Sequence, residues 1–122
     1  MSADSNIRIC KTCVRPIITY GTESRADTTV TKQLLRTTEI RIVRAIHSKT
    51  LRDKIRSENL SQISRLQDIV DWVHVKRTCW AAHVDRMQDD RLPKILSKNH
   101  PEGIRSRGRQ KKRWKESYDP DD

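Results

Sequence analysis

An all-α fold follows from three properties of the 122-residue sequence. Apolar residues recur every three to four positions along most of its length, the spacing of one helix face. No stretch shows the strict alternation of a half-buried strand. Hydrophobic residues make up 34% of the chain and charged residues another 34%, with no Phe. Ordinary domains carry roughly 45–50% apolar residues with Gly counted, so each helix is expected to own a single apolar stripe around a thin core. The predicted architecture is an irregular bundle of four to five helices over residues 1–92, followed by an extended, disordered basic tail over 93–122. So polar a surface is expected to rest against something larger.

The first helix is predicted from Asn6 to Tyr20, where Ile7, Cys10, Val14, Ile17 and Ile18 keep helical spacing and Asp4 or Ser5 is placed to cap. Pro16 removes one intrahelical hydrogen bond, so a kink or break is expected near Arg15. "YGTESRADTT" reads as a connection, with Gly21 as the stop. The second helix, Thr29 to His47, sets Val30, Leu34, Leu35, Ile42, Val43 and Ile46 against Lys32, Arg36, Arg41 and Arg44. Two short pieces follow, one capped by Thr50 with Leu51 and Ile55, the other by Ser57 with Leu60 and Ile63. A long helix runs from about Leu66 to Met87. Ile69, Val73, Trp80, Val84 and Met87 form its stripe, and Trp72, Cys79 and His83 flank it. Asp90 and Pro93 end it.

The formal net charge is +10, and it is uneven. Residues 1–49 contribute +5 and residues 50–92 only +1, while residues 104–115 hold seven cations and no acid. Such an excess favours polyanions. No apolar run reaches the ~18 residues of a membrane span, and no segment carries the aromatic face of a surface anchor. Nucleic acid is therefore the expected partner, and no membrane. The N-terminus lacks the apolar stretch of a signal peptide, and three cysteines do not make a disulfide framework. An intracellular setting, nucleus or cytoplasm, is expected.

Few constellations carry chemistry. Cys10 and Cys13 form a CxxC, and Cys79 with His83 a C-x3-H, which together offer four ligands to zinc. Each pair sits beside an apolar stripe, where cysteine is a small buried side chain, and the packing reading is the stronger. His47, His74, His83 and His100 form no triad pattern, and Asp89-Asp90 sits in a helix exit as a solvated turn. No Gly-rich phosphate loop is present, and no cofactor is expected. In the tail, Arg105, Arg107 and Arg109 alternate with small or flexible residues, a spacing suited to a phosphate strand. Lys111, Lys112 and Arg113 add a compact cluster, and Trp114 is placed to stack on an unpaired base. A nuclear-import signal or a charged tail has nearly the same composition.

Three blocks in order carry a resemblance. K-T-x-V-R-P-I-x-x-Y-G runs from Lys11 to Gly21, W-x-x-H-V-x-R-M from Trp80 to Met87, and R-G-R-x-x-x-R-W from Arg107 to Trp114. With the intervening residues from about Ile7 to Glu116, they resemble the C-terminal part of non-LTR (LINE-type) retrotransposon reverse transcriptases. The resemblance implies a thumb and the region after it, helical and non-catalytic. The fingers and palm, with their [FY]-x-D-D aspartates, would precede it in the intact protein and be its partner domains. Glu23-Ser24-Arg25 in place of E-T-W, Ala82 in place of glycine and Gln110 in place of proline depart from the family pattern and suggest a degraded or truncated copy. On this reading Lys76, Arg77, Arg86, Arg105, Arg107, Arg109, Lys111, Lys112 and Arg113 contact phosphates of RNA or DNA without base specificity. The alternatives are a stand-alone basic interaction protein whose tail serves import or docking, and an inert pseudogene product.

Overall fold

The computed structural model describes residues 2–99, 107–110 and 114. Every regular element among them is helical, as the sequence predicts. The first helical body begins as α1 (Ala3–Ile9), passes through a π-helical segment (Cys10–Val14) and continues as α2 (Arg15–Ile18). Its cap is Ser2, whose hydroxyl accepts the Ser5 N–H at 3.3 Å, rather than the expected Asp4 or Ser5. Pro16 explains the π segment. In an unbroken α-helix its ring would meet the Thr12 carbonyl, four residues back. Widening the preceding turn, so that the Arg15 N–H reaches back to the Cys10 carbonyl, accommodates the ring without breaking the helix.

Helix α3 (Thr29–Ile46) starts at Thr28, whose hydroxyl accepts the Thr31 N–H at 3.2 Å. It ends in a Schellman motif: the Ser48 N–H bonds the Ala45 carbonyl, and the Lys49 N–H bonds the Arg44 carbonyl at 2.8 Å. Ser48, at φ +52°, occupies the left-handed position usually given to glycine. A 3-10 turn (Leu51–Asp53) follows, with Asp53 accepting the Thr50 N–H at 2.6 Å. Helix α4 (Ser57–Ile63) closes with the same motif, its left-handed residue being Arg65 at φ +49°. Ser57 is its first helical residue rather than its cap.

Helix α5 (Ile69–Asp85) is capped by Asp68, whose carboxylate accepts the Val70 N–H at 2.9 Å. Helix α6 (Leu92–Lys98) carries regular structure past Pro93, where an extended tail is expected. Pro93 lies in its first turn, where a missing N–H costs nothing, so this proline starts a helix instead of opening the tail.

Helix α3 lies at the centre: α4, α5 and the N-terminal helical body pack on it, and α6 packs on α5. The apolar centre is Leu35, Ile69 and Val73, joined at its edge by Ile18, Val70 and Trp72. In α3 the buried positions are Leu35, Glu39 and Val43, rotated from the expected stripe, so that Val30 and Leu34 face outward. In α5 they are Ile69, Val73, Arg77, Ala81 and Val84. Each long helix therefore buries a charged residue in the middle of its stripe.

Candidate nucleic-acid interface

The two buried arginines, Arg15 and Arg77, fix which cations remain for a ligand. Arg15 is 4% exposed and binds Glu39 through both carboxylate oxygens, at 2.5 and 3.2 Å, and also donates to the Gln67 carbonyl. Arg77 is 1% exposed. It donates to the Thr22 carbonyl at 2.7 Å and the Arg25 carbonyl at 2.9 Å, and pairs with Asp27 at 2.9 Å. Arg77 is thus removed from the expected phosphate-contacting set. Its guanidinium organises the connection between α2 and α3 from inside, because a buried charge persists only where it is paired and hydrogen-bonded.

The cations left on α5 and its C-cap are Lys76 and Arg86, both exposed. The Lys76 ammonium stands 5.2 Å from the centre of the Trp72 ring, one turn back along the helix. The rings of Trp80 and His83 meet at 5.6 Å between centroids. Trp72, Lys76, Trp80, His83 and Arg86 recur three or four residues apart and so share one flank of α5 and its C-cap. Trp72 keeps one edge in the apolar centre, and both it and Trp80 are half-buried. The flank therefore offers partly fixed aromatic surface interleaved with cations.

In the tail, Arg107 and Arg109 are exposed, whereas Arg105, Lys111, Lys112 and Arg113 lie outside the described residues. Trp114 departs from its expected role. Its indole N–H donates to the Glu23 carbonyl at 2.5 Å and its ring is half-buried, so it anchors the tail to the connection that Arg77 organises rather than waiting for an unpaired base. Beside this anchor, Arg109 and Gln110 face the start of α3 across a cleft lined also by Thr28, Val30 and Lys32.

The zinc arrangement does not assemble. Cys10 is buried while Cys13 and Cys79 are exposed, and among the described residues no three His, Cys, Asp or Glu side chains come together to hold a metal. Burial, with Glu39 next in weight, pushes the Cys10 thiol above its ordinary value. Asp89 belongs to no carboxylate site, for Lys98 binds it at 2.6 Å and holds its carboxyl below the usual range. Burial opposes ionisation of Asp68, but the hydrogen bonds from Arg36 and Val70, with the charges of Arg36 and Arg15, outweigh it and leave its carboxyl low. Among the described residues no helix is long and apolar enough to cross a membrane.

Sequence reasoning overlooked Glu39 and Asp27 as partners of Arg15 and Arg77. A signal existed for Glu39: it stands four residues after Leu35 and four before Val43, an acid set into an apolar ladder. No protein-family model, curated protein or solved structure matches this chain.

Proposed function

We propose that the chain is a non-catalytic, nucleic-acid-binding helical segment of a reverse transcriptase of the non-LTR type, gripping phosphates of RNA or DNA without reading bases. The observation that carries the binding reading is the α5 flank, where Lys76 and Arg86 alternate with Trp72, Trp80 and His83. Cations along a surface track a sugar–phosphate strand, and half-buried aromatic faces accept bases whatever their identity. Arg107, Arg109 and the neighbouring tail cations extend the same electrostatic attraction.

The fragment reading draws support from how the resembling blocks divide. Within the first block, Arg15 is buried on Glu39 and Lys11 reaches the Arg65 carbonyl at 2.9 Å, which are structural duties. Ile17 and Tyr20 of the same block are 73% and 88% exposed. Large apolar side chains held at the surface beside a thin core fit a segment that rests on a neighbouring domain.

A salt titration of binding to fluorescent single-stranded RNA and DNA tests the function. Neutralising about five phosphates through the tail gives a slope of log affinity on log salt near −3.5 to −4.5, depending on strandedness. Deleting residues 104–115 should flatten it, and Lys76→Ala with Arg86→Ala should lower it by about 1.4 on a single strand. A slope untouched by either change refutes the reading. Primer extension by the purified chain would contradict its non-catalytic character.

A further inference from the structure

The last turns of α3 and its connection to α4 hold a second concentration of charge, away from the tail and the α5 flank. Residues 41–56 carry six cations, Arg41, Arg44, Lys49, Arg52, Lys54 and Arg56, against one acid, Asp53. That acid is already engaged: its carboxylate accepts the Thr50 N–H and hydroxyl, at 2.6 and 3.2 Å. All six cations are exposed or half-buried. Their positive field is therefore opposed by little within the segment.

The segment also makes a groove. One wall is a ridge of α3, where Thr37, Ile40, Arg41, Arg44 and Ala45 recur at helical spacing on the face turned away from Leu35, Glu39 and Val43. The other wall is Lys49, Leu51 and Ser57. Two features hold the walls in place. The left-handed turn at Ser48 folds the chain back across the end of α3, and the Arg44 guanidinium donates to the Ile55 carbonyl at 3.0 Å, tying the far end of the connection to the helix. Ile40, Ala45 and the 81%-exposed Leu51 give the groove apolar surface, and among the described residues no carboxylate lines it.

We propose that this groove is a binding site for single-stranded nucleic acid, with Arg41 and Lys49 taking backbone phosphates and Ile40, Ala45 and Leu51 lying under the bases or sugars. The proposal rests on the nucleic-acid reading above and assigns to it a site that the sequence did not suggest. A nucleic-acid strand fits better than an acidic peptide because it carries a negative charge at every unit, matching six cations within one short segment. The groove is built before a ligand arrives, so little ordering opposes binding.

The test uses the full chain, a fluorescent single-stranded oligonucleotide and anisotropy across a salt series. Arg41→Ala/Lys49→Ala is compared with Arg8→Ala/Arg91→Ala, which removes two exposed cations elsewhere. Arg44 is left intact because it braces the groove. Two phosphate contacts on a single strand amount to a slope of about 1.4, or a roughly 25-fold weakening at 0.1 M salt. The groove variant should show this loss, the distant variant a several-fold smaller one, and Arg41→Lys/Lys49→Arg should keep native affinity. Urea midpoints equal to native show that both alanine variants remain folded. Equal losses in the groove and distant variants overturn the proposal while leaving the nucleic-acid function standing. Displacement by polyglutamate as effective as by oligonucleotide overturns it in favour of an acidic protein partner. A native chain that binds no oligonucleotide at any salt overturns both.

Discussion

Replacing Arg77 by methionine keeps most of the apolar stem and removes the guanidinium, which isolates the energetic role of the buried charge. In the native chain that group neutralises Asp27 at 2.9 Å and donates to the carbonyls of Thr22 and Arg25. Arg25 is exposed, so water replaces the lost donor there; Thr22 and Asp27 are 1% and 4% exposed, so water does not reach them easily. Stripping one partner from a buried pair costs about 3–5 kcal/mol. Native stability near 0.05–0.15 kcal/mol per residue is about 6–18 kcal/mol for a chain of this length, so the loss is a large share of it. With a urea m-value of about 2 kcal/mol/M, the midpoint should fall by roughly 2 M, read by far-UV circular dichroism. Arg77→Met combined with Asp27→Leu should recover most of that fall, because the stranded carboxylate is then gone as well. A midpoint shift below about 0.5 M for Arg77→Met, or a double variant no better than the single, would refute the view that this pair holds the α2–α3 connection onto α5.

Other consequences can be measured on the same purified chain. Asp68 has its carboxyl lowered on folding, so its contribution is present above the unfolded value near 3.9 and is lost as pH falls through the lower folded value. Urea midpoints of native chain and Asp68→Asn should therefore differ at pH 6 and converge toward pH 2; parallel curves would dismiss the role assigned to this cap. Cys13 and Cys79 should react with a thiol reagent within minutes at pH 8, while buried Cys10, with its raised thiol value, reacts only in denaturant. Three equally fast thiols in the native chain would contradict the burial of Cys10 in the N-terminal helical body. Ser48→Gly should raise stability by about 0.5–1 kcal/mol, since relief of a left-handed serine outweighs glycine's added freedom in the unfolded chain. A loss of stability would place the Schellman geometry in error.

The helical class and most helix limits were legible because periodicity and caps are local. Thr50 and Pro16 announce their roles within a turn or two of sequence. The left-handed closures after α3 and α4 were not legible, although the helix ends themselves were, because both use a residue other than glycine in that position, held there by two backbone hydrogen bonds. The facing of α3 was misread for a related reason. Apolar periodicity admits more than one stripe in a helix that carries Leu34 beside Leu35 and Ile42 beside Val43, and the choice is made by tertiary partners. Arg15 reaches Glu39 across 24 positions of sequence and Arg77 reaches Asp27 across 50, distances at which local pattern carries no information. Of the candidate cations, simple exposure distinguished Lys76, Arg86, Arg107 and Arg109 from Arg77, and exposure is a property of the fold.

The same contrast bears on how a basic sequence becomes a binding surface. Arginine serves two opposed purposes in this chain: its planar fork suits buried, multiply bonded sites, and it also suits phosphates. Arg15 and Arg77 are spent on the first use, since each donates to backbone carbonyls as well as to its acid. Lys76, Arg41 and Lys49 stand on exposed surface and belong to none of the ion pairs among the described residues. Net charge alone therefore overstates the binding capacity, while counting only the tail understates it. If phosphate contact follows exposure and placement, removing Arg41 and Lys49 must weaken binding more than removing Arg8 and Arg91, although all four leave the same net charge behind. That inequality separates a surface organised by the fold from a chain that is merely positive.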